Sequence, residues 1–116
     1  MNVTEPSTVP DAVRAVADVD RVLHEPARLL IVVTLYPVAS ADFLYLARAT
    51  GLTKGNLSSH LSKLESAGYV SIEKTYRGKV PLTLCRLTDA GREAFDHYRE
   101  QLQGVAGALP TAADGP

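Results

Sequence analysis

Apolar side chains recur at helical spacing near the start of the chain. Valines and a leucine fall three or four residues apart from Val13 to Leu23, with charged residues between them, and this period predicts a first helix. Pro26 predicts the start of a second helix, because proline is tolerated in a first helical turn. The apolar density from Ala27 to Tyr36 predicts that this second helix is buried at the centre, and Pro37 ends it.

The next part of the chain predicts two helices joined by a tight turn. A short helix begins near Asp42 and ends at Gly51, a residue suited to the left-handed conformation that follows a helix. Thr53 offers a side-chain oxygen as the N-cap of the following helix, which ends near Gly68. The inward face of that helix is predicted from leucines at i, i+4 and i+7: Leu57, Leu61 and Leu64. This arrangement is a helix-turn-helix.

Two β-prone runs follow, at residues 69–76 and 82–87, and the five residues from Arg77 to Pro81 separate them. They predict a β-hairpin with a basic tip. Thr88 then caps a last helix that runs from Asp89 to about Gln103. The predicted fold class is therefore mainly α with a small β-hairpin (α+β).

Length and composition predict one domain. The chain has 116 residues, of which 46% are hydrophobic, so it can bury a single core. We expect the ordered domain at residues 11–109, with disordered tails at 1–10 and 110–116, where prolines and small residues collect. Cys85 is the single cysteine, which excludes an intrachain disulfide and fits a reducing compartment. Because neither a signal pattern nor an apolar run of about 20 residues is present, we expect a soluble, cytoplasmic protein without a membrane partner.

The charge is unevenly distributed along the chain. The net charge is −1, yet between Thr53 and Arg86 six basic side chains stand against two acidic ones, so this segment carries +4 and the remainder −5. A one-sided basic surface is what binding to a polyanion requires, although a solvated hairpin with no function would show the same segregation.

The helix that Thr53 begins has a polar outward face. With the leucines turned inward, the opposite side presents short polar or basic positions: Gly55, Asn56, Ser59, Ser62 and Lys63. Asn can bridge adenine N6 and N7 in the major groove, and Lys can reach guanine or phosphate. Any surface helix has a polar face, so the helix alone does not decide the matter. The helix-turn-helix followed by a basic hairpin is more specific and favours duplex DNA as the partner.

The stretch from Phe43 to Tyr69, FLYLARATGLTKGNLSSHLSKLESAGY, resembles the winged helix-turn-helix regulators of the MarR/ArsR superfamily, in particular their small winged-helix DNA-binding subgroup. The resemblance continues through the hairpin and into the LTDAGR segment, Leu87–Arg92. It implies a homodimeric transcriptional regulator whose helix after Thr53 enters the major groove while the hairpin, the wing, contacts the backbone or minor groove. We expect a repressor.

The resemblance places nine side chains at or beside DNA: Thr53, Lys54, Asn56, Ser58, Ser59, His60, Lys63, Arg77 and Lys79. We expect the base contacts to come from Asn56, Ser59 and Lys63. Thr53, Lys54, Arg77 and Lys79 are expected mainly to hold phosphates.

A second copy of the chain is the other expected partner, because one recognition helix reads only a few base pairs and two half-sites multiply specificity. Apolar stripes on the N- and C-terminal helices supply the expected interface: Val13, Val16, Phe95, Tyr98, Leu102 and Val105. The alternative is that both stripes pack within one protomer.

Several other readings are weaker. The fold also serves as a protein-interaction module without DNA binding, and a sensor could hold an unknown effector at its dimer interface. His97 and Glu100 form only half of a metal-sensing pattern, and Cys85 could sense oxidants only if its pKa were low. No catalytic constellation is present, so we expect no enzyme activity, cofactor or metal.

Overall fold

The computed structural model describes residues 10–112 of the chain. Five helices and three strands follow one another: α1 (Asp11–Ala17), α2 (Pro26–Leu35), β1 (Ala41–Asp42), α3 (Phe43–Thr50), α4 (Lys54–Ser66), β2 (Val70–Arg77), β3 (Val80–Leu87) and α5 (Asp89–Ala108). This confirms the predicted α+β class and the helix-turn-helix. Most of the predicted tails, residues 1–9 and 113–116, lie outside the described residues.

The predicted helix boundaries around the helix-turn-helix are confirmed. The side-chain oxygens of Thr53 and Thr88 accept hydrogen bonds from the third residue after each, at 3.1 and 3.0 Å, and so begin α4 and α5. Gly51 ends α3 with a φ of +73°, a conformation that costs glycine little. Asp42 caps α3 in the same way as the threonines. α5 continues past the predicted end at Gln103 to Ala108.

The first helix is shorter than the apolar period predicts. α1 ends at Ala17, and the buried side chains of Val19 and Leu23 belong to a connector, residues 18–25, that leads to α2. Asp20 explains the break, because its Oδ1 accepts hydrogen bonds from the backbone N–H groups of Val22 (2.8 Å) and Leu23 (3.1 Å). These bonds give the backbone an alternative to a helical ladder.

The sheet has one strand more than predicted. Its order is β1-β3-β2, with the two-residue β1 paired to β3 through Ala41 and Cys85. The hairpin is also tighter than predicted, since Arg77 pairs with Val80 and only Gly78 and Lys79 form the turn. Gly78 has a φ of +64°, as two-residue hairpin turns require.

The core lies between α2, α3, α4 and the sheet, and α5 packs across it. α2 is not buried all round, contrary to the prediction of a buried central helix. Its outward side exposes Leu30 (48%) and Val33 (51%), while Ile31, Val32 and Leu35 face the core. A helix with apolar side chains on every side must leave some of them on the surface of a domain this small.

Candidate nucleic-acid interface

α4 separates an apolar face from a polar one. Leu57, Leu61 and Leu64 are buried in the core, as their spacing predicts. Every exposed residue of α4 is polar, charged or glycine: Lys54, Gly55, Asn56, Ser58, Ser59, Ser62, Lys63, Glu65 and Ser66. We call this set the α4 ridge. It presents short hydrogen-bonding groups, two cations and one carboxylate on the outward side of the helix.

Two of the predicted contact residues have roles inside the protein. Thr53 is exposed, but its hydroxyl caps α4 through the backbone N–H of Asn56. His60 is half-buried and turned away from the ridge, and its Nδ1 lies 3.2 Å from Nη1 of Arg28 on α2. Of the residues that the sequence predicts at the DNA, His60 therefore interacts with α2 instead of standing on the exposed side of α4.

The wing, formed by β2 and β3 with their turn, projects an exposed tip. Arg77, Gly78, Lys79 and Val80 are all exposed, so both predicted basic side chains are free to meet an anion. Tyr76 next to them is also exposed. The tip therefore joins charge to an aromatic surface, which suits contact with a nucleic-acid backbone or groove edge.

Two clefts flank α4. A cleft of about 530 Å³ separates α4 from the sheet, and a second of about 360 Å³ separates α4 from the connector and the start of α2. Ser62 lines both clefts, so it lies on the exposed side of α4 between them. The sheet-side cleft carries one cation, Lys74, and one carboxylate, Glu65.

The sequence reasoning missed the basic residues of the second cleft. Arg21 and Arg28 line it beside Lys63 of the ridge. Arg21 lies in a turn and Arg28 in an apolar helix, so no periodic pattern marks either one. Only the packing of the connector against α4 brings them to the same surface as Lys63.

Cys85 does not have the properties of a reactive thiol. It is fully buried on β3, and this burial, reinforced by the nearby Asp42 and Glu65 carboxylates, raises its pKa to about 11. Thiolate chemistry needs a lowered pKa and exposure. The structure therefore gives no support to oxidant sensing through Cys85.

The predicted half of a metal site is on the surface. Nδ1 of His97 lies 3.8 Å from Oε1 of Glu100, and both side chains are well exposed on α5. Within residues 10–112 no three side chains of the metal-ligating types come together. The pair has the geometry of a solvated i,i+3 contact.

The six residues expected at a dimer interface differ in burial and fall into three groups. Val13 (56% exposed), Val16 (48%) and Leu102 present apolar surface to solvent. Phe95 and Val105 are half-buried against the core of their own protomer. Tyr98 is buried, and its hydroxyl lies 2.8 Å from Nδ1 of His24, so it is not available to a partner. For Tyr98 the structure therefore shows the alternative, in which a residue of the apolar stripe packs within its own protomer.

None of the helices within residues 10–112 is both long and apolar enough to cross a bilayer.

Comparison with known proteins places this geometry in a family. The model of the winged helix DNA-binding domain family matches residues 27–105. An uncharacterized protein of Methanocaldococcus jannaschii is 37% identical over 79 residues, which cover 67% of this chain and 85% of that protein.

Solved structures share the fold. A transcriptional regulator homologue from Pyrococcus horikoshii OT3 superimposes with a TM-score of 0.76 at 30% identity, over 87% of this chain and 99% of that one. The transcriptional repressor CouR, bound to a 23-mer DNA duplex, gives a TM-score of 0.62 at 21% identity, over 80% of this chain and 63% of that one. The likeness to CouR is one of fold.

Proposed function

The chain belongs to the winged helix DNA-binding domain family and is a DNA-binding transcriptional regulator, and from that premise we propose that it acts as a sequence-specific homodimeric repressor. In this proposal α4 of each protomer lies in the major groove. Each wing contacts the backbone or the adjacent minor groove. The family and fold are those of regulators rather than enzymes.

The composition of the α4 ridge carries the proposal. A winged helix that served only to bind another protein would expose apolar side chains on this helix, since interface cores are depleted of charge. The apolar side chains of α4 are instead all turned into the core. The exposed Asn56 and Ser59 are groups that recognise base edges in the major groove, and Lys63 can reach guanine or phosphate.

The contacts divide by chemistry. Asn56 and Ser59 lie on the exposed side of α4 and are assigned to base edges. Lys63 also lies on that side but borders the second cleft, and it is assigned to a phosphate there. Lys54, Arg77 and Lys79 are assigned to phosphates. Thr53 is assigned to a phosphate as well, because its side chain remains exposed while it caps α4. Ser58 borders the sheet-side cleft and lies beside the groove, whereas His60 acts indirectly through Arg28.

The homodimer is proposed from exposed apolar surface at the ends of the domain. Val13 and Val16 of α1 and Leu102 of α5 lie on two helices that pack together, and Leu30 and Val33 of α2 add to the apolar surface available to a second copy. Two-fold symmetry would present two α4 ridges to two half-sites of one operator.

Repression is proposed by analogy of fold. CouR, a transcriptional repressor, has been captured on a 23-mer duplex with the same winged helix architecture. A dimer that covers two half-sites can exclude other proteins from that DNA. Transcription in vitro from a promoter that carries the operator should fall when the protein is added, and a rise would contradict repression.

Two alanine variants test the division of contacts by fluorescence anisotropy. Asn56→Ala leaves the cap of α4 intact, because the cap uses the backbone N–H of residue 56. It should cost about 1–3 kcal/mol on the selected operator and little on random duplex. Lys79→Ala should weaken binding to both DNAs alike.

The exposed amide Gln103→Ala on α5 is the matched control for the asparagine and should change neither affinity. Equal losses for Asn56→Ala on operator and random DNA would contradict its role in reading bases. An unchanged affinity for random DNA in Lys79→Ala would contradict the phosphate role of the wing.

A further inference from the structure

We propose that the cleft between α4 and the connector is a second phosphate-binding site, which holds the DNA strand on the side of α4 opposite the wing. The inference rests on the proposed function and extends the DNA contact to a part of the chain outside the helix-turn-helix and the wing. Its central residues are Arg21, Arg28 and Lys63.

The lining of this cleft is positively charged and suits an anion. Three cations and two hydroxyls surround it, with one valine and no carboxylate among the lining side chains: Arg21, Val22, Arg28, Ser62, Lys63 and Ser66. The carboxylate of Glu25 does not line the cleft. It accepts the backbone N–H of Arg28 at 2.8 Å as the N-cap of α2, and its Oε1 lies 4.0 Å from Nδ1 of His60. It therefore offsets part of the charge of Arg28, whereas Arg21 and Lys63 have no such partner among the described residues. The sheet-side cleft differs, because Glu65 there opposes Lys74.

Arg28 connects the two walls of the cleft through hydrogen bonds to the connector and to α4. Its guanidinium donates from Nε to the carbonyl oxygen of Val22 at 2.6 Å and from Nη2 to that of Arg21 at 3.4 Å. Its Nη1 lies 3.2 Å from Nδ1 of His60 on α4. Arginine carries five N–H donors, so these bonds leave capacity for a further acceptor while they fix the connector against the recognition helix.

Arg21 and Lys63 are the two lining cations whose positive charges are not paired with a carboxylate among the described residues. Both side chains are exposed, and neither forms an ion pair with another side chain in residues 10–112. Arginine presents a planar fork that matches two phosphate oxygens, and lysine adds a point charge. The hydroxyls of Ser62 and Ser66 add neutral donors of the kind that commonly contact phosphates.

The position of the cleft identifies the source of the phosphate as DNA. A helix with its side chains is about 10–12 Å across and the major groove about 12 Å wide, so a helix seated in the groove has one sugar-phosphate strand on each flank. The two clefts occupy the two flanks of α4, with Ser62 between them. One strand then meets Lys74 and the wing, and the other meets Arg21 and Lys63.

The test is the salt dependence of binding to a short random-sequence duplex, because a phosphate contact does not depend on sequence. Each lost contact should reduce the slope of log Kobs against log salt by about 0.9. Arg21→Gln should therefore bind several-fold more weakly, with a slope lower by about 0.9 for each protomer bound. Lys63→Gln should shift the slope in the same direction.

Arg86→Gln is the matched control, since Arg86 is an exposed arginine on β3 beside Ser71 and Glu73, on the sheet face away from α4. It should leave the slope unchanged. Thermal unfolding of Arg21→Gln should match wild type, because the side chain is exposed and makes no internal hydrogen bond among the described residues.

The possible results distinguish a failure of the proposed DNA binding from a failure of the second phosphate site. Wild-type protein that fails to bind any duplex would overturn the proposed function and this site with it. Wild-type binding together with an unchanged slope in Arg21→Gln and Lys63→Gln would overturn the site alone. Calorimetric binding of inorganic phosphate that depends on Arg21, without a change in the DNA slope, would also overturn the DNA assignment in favour of a free anion.

Discussion

The hydroxyl of Tyr69 donates a 2.6 Å hydrogen bond to Oδ2 of Asp20, and this bond links the start of the wing to the connector between α1 and α2. The other carboxylate oxygen of Asp20, Oδ1, accepts a hydrogen bond from the backbone N–H of Val22 in the connector. The backbone N–H of Asp20 donates to Oε1 of Gln101 on α5 at 3.0 Å. Asp20 therefore joins three parts of the fold. It also fixes the position of its neighbour Arg21 beside α4.

The Tyr69–Asp20 bond predicts a specific loss of stability at alkaline pH. The hydrogen bond to Asp20, with burial, raises the pKa of Tyr69 from 10.0 to about 12. The folded state thus holds this proton more tightly than the unfolded state. The stabilisation is complete below pH 10 and is lost as the pH rises through about 12.

Tyr69→Phe should cost about 1.5 kcal/mol in the free energy of unfolding at neutral pH, the usual worth of a hydrogen bond to a charged group. It should also flatten the decline in stability between pH 10 and 12. Urea unfolding at a series of pH values measures both effects, with the exposed wing residue Tyr76→Phe as control. Parallel pH profiles for Tyr69→Phe and wild type would show that the bond does not stabilise the fold.

Gly91 is predicted to tolerate no side chain. It is buried at the first turn of α5, where an added Cβ would overlap the carbonyl oxygen of Tyr69 and lie 2.9 Å from Cδ1 of Leu87. Gly91→Ala should therefore destabilise the protein by about 1–3 kcal/mol or more through overpacking. Gly104 on the same helix has open space around it, so Gly104→Ala should be neutral or stabilise by up to about 1 kcal/mol. Equal effects of the two changes in chemical denaturation would refute this packing account.

Cys85 is predicted to be inert in the native protein. With a buried sulfur and a pKa raised to about 11 by burial, it should react with a thiol-specific disulfide reagent only as fast as the protein unfolds. DNA binding should be the same before and after mild oxidation, in wild type and in Cys85→Ser. Rapid labelling in native buffer, or release from DNA by an oxidant in wild type but not in Cys85→Ser, would reverse this conclusion.

The proposed homodimer predicts that charges on α1 will lower the mass of the protein in solution. Val13→Asp combined with Val16→Asp should convert the protein to a monomer in sedimentation velocity, because both side chains are exposed in the protomer and would be buried only by a partner. Val38→Asp adds one such charge at an exposed valine outside α1, between α2 and β1, and should leave the dimer intact. Monomeric wild-type protein at micromolar concentration would eliminate the homodimer.

The sequence pattern predicted those helices and strands whose signals lie within a few neighbouring residues. Leu57, Leu61 and Leu64 specify which side of α4 is buried, and thus also which side is exposed. The caps at Thr53 and Thr88 depend on residues only three positions away and were predictable for that reason. The same local rules predicted the hairpin, although not the tightness of its turn.

The connector could not be predicted, because its partners are remote in sequence. Val19 and Leu23 continue the helical spacing of α1 although the helix has ended, and Asp20 is bound by Tyr69 and Gln101, 49 and 81 residues away. Arg21 of the second cleft shares this dependence on tertiary packing. The tail predictions at residues 1–10 and 110–116 and the roles of individual DNA contacts stay predictions.

Selection of bound fragments from a pool of random duplex DNA tests whether the protein recognises a specific operator as a dimer. If two α4 ridges read two half-sites, the enriched fragments should share an inverted repeat whose half-site centres lie about 10 base pairs, one helical turn, or a multiple of that apart. Asn56→Ala should relax the preference at one position in each half-site. Fragments that bind without enrichment of any shared sequence would contradict the account.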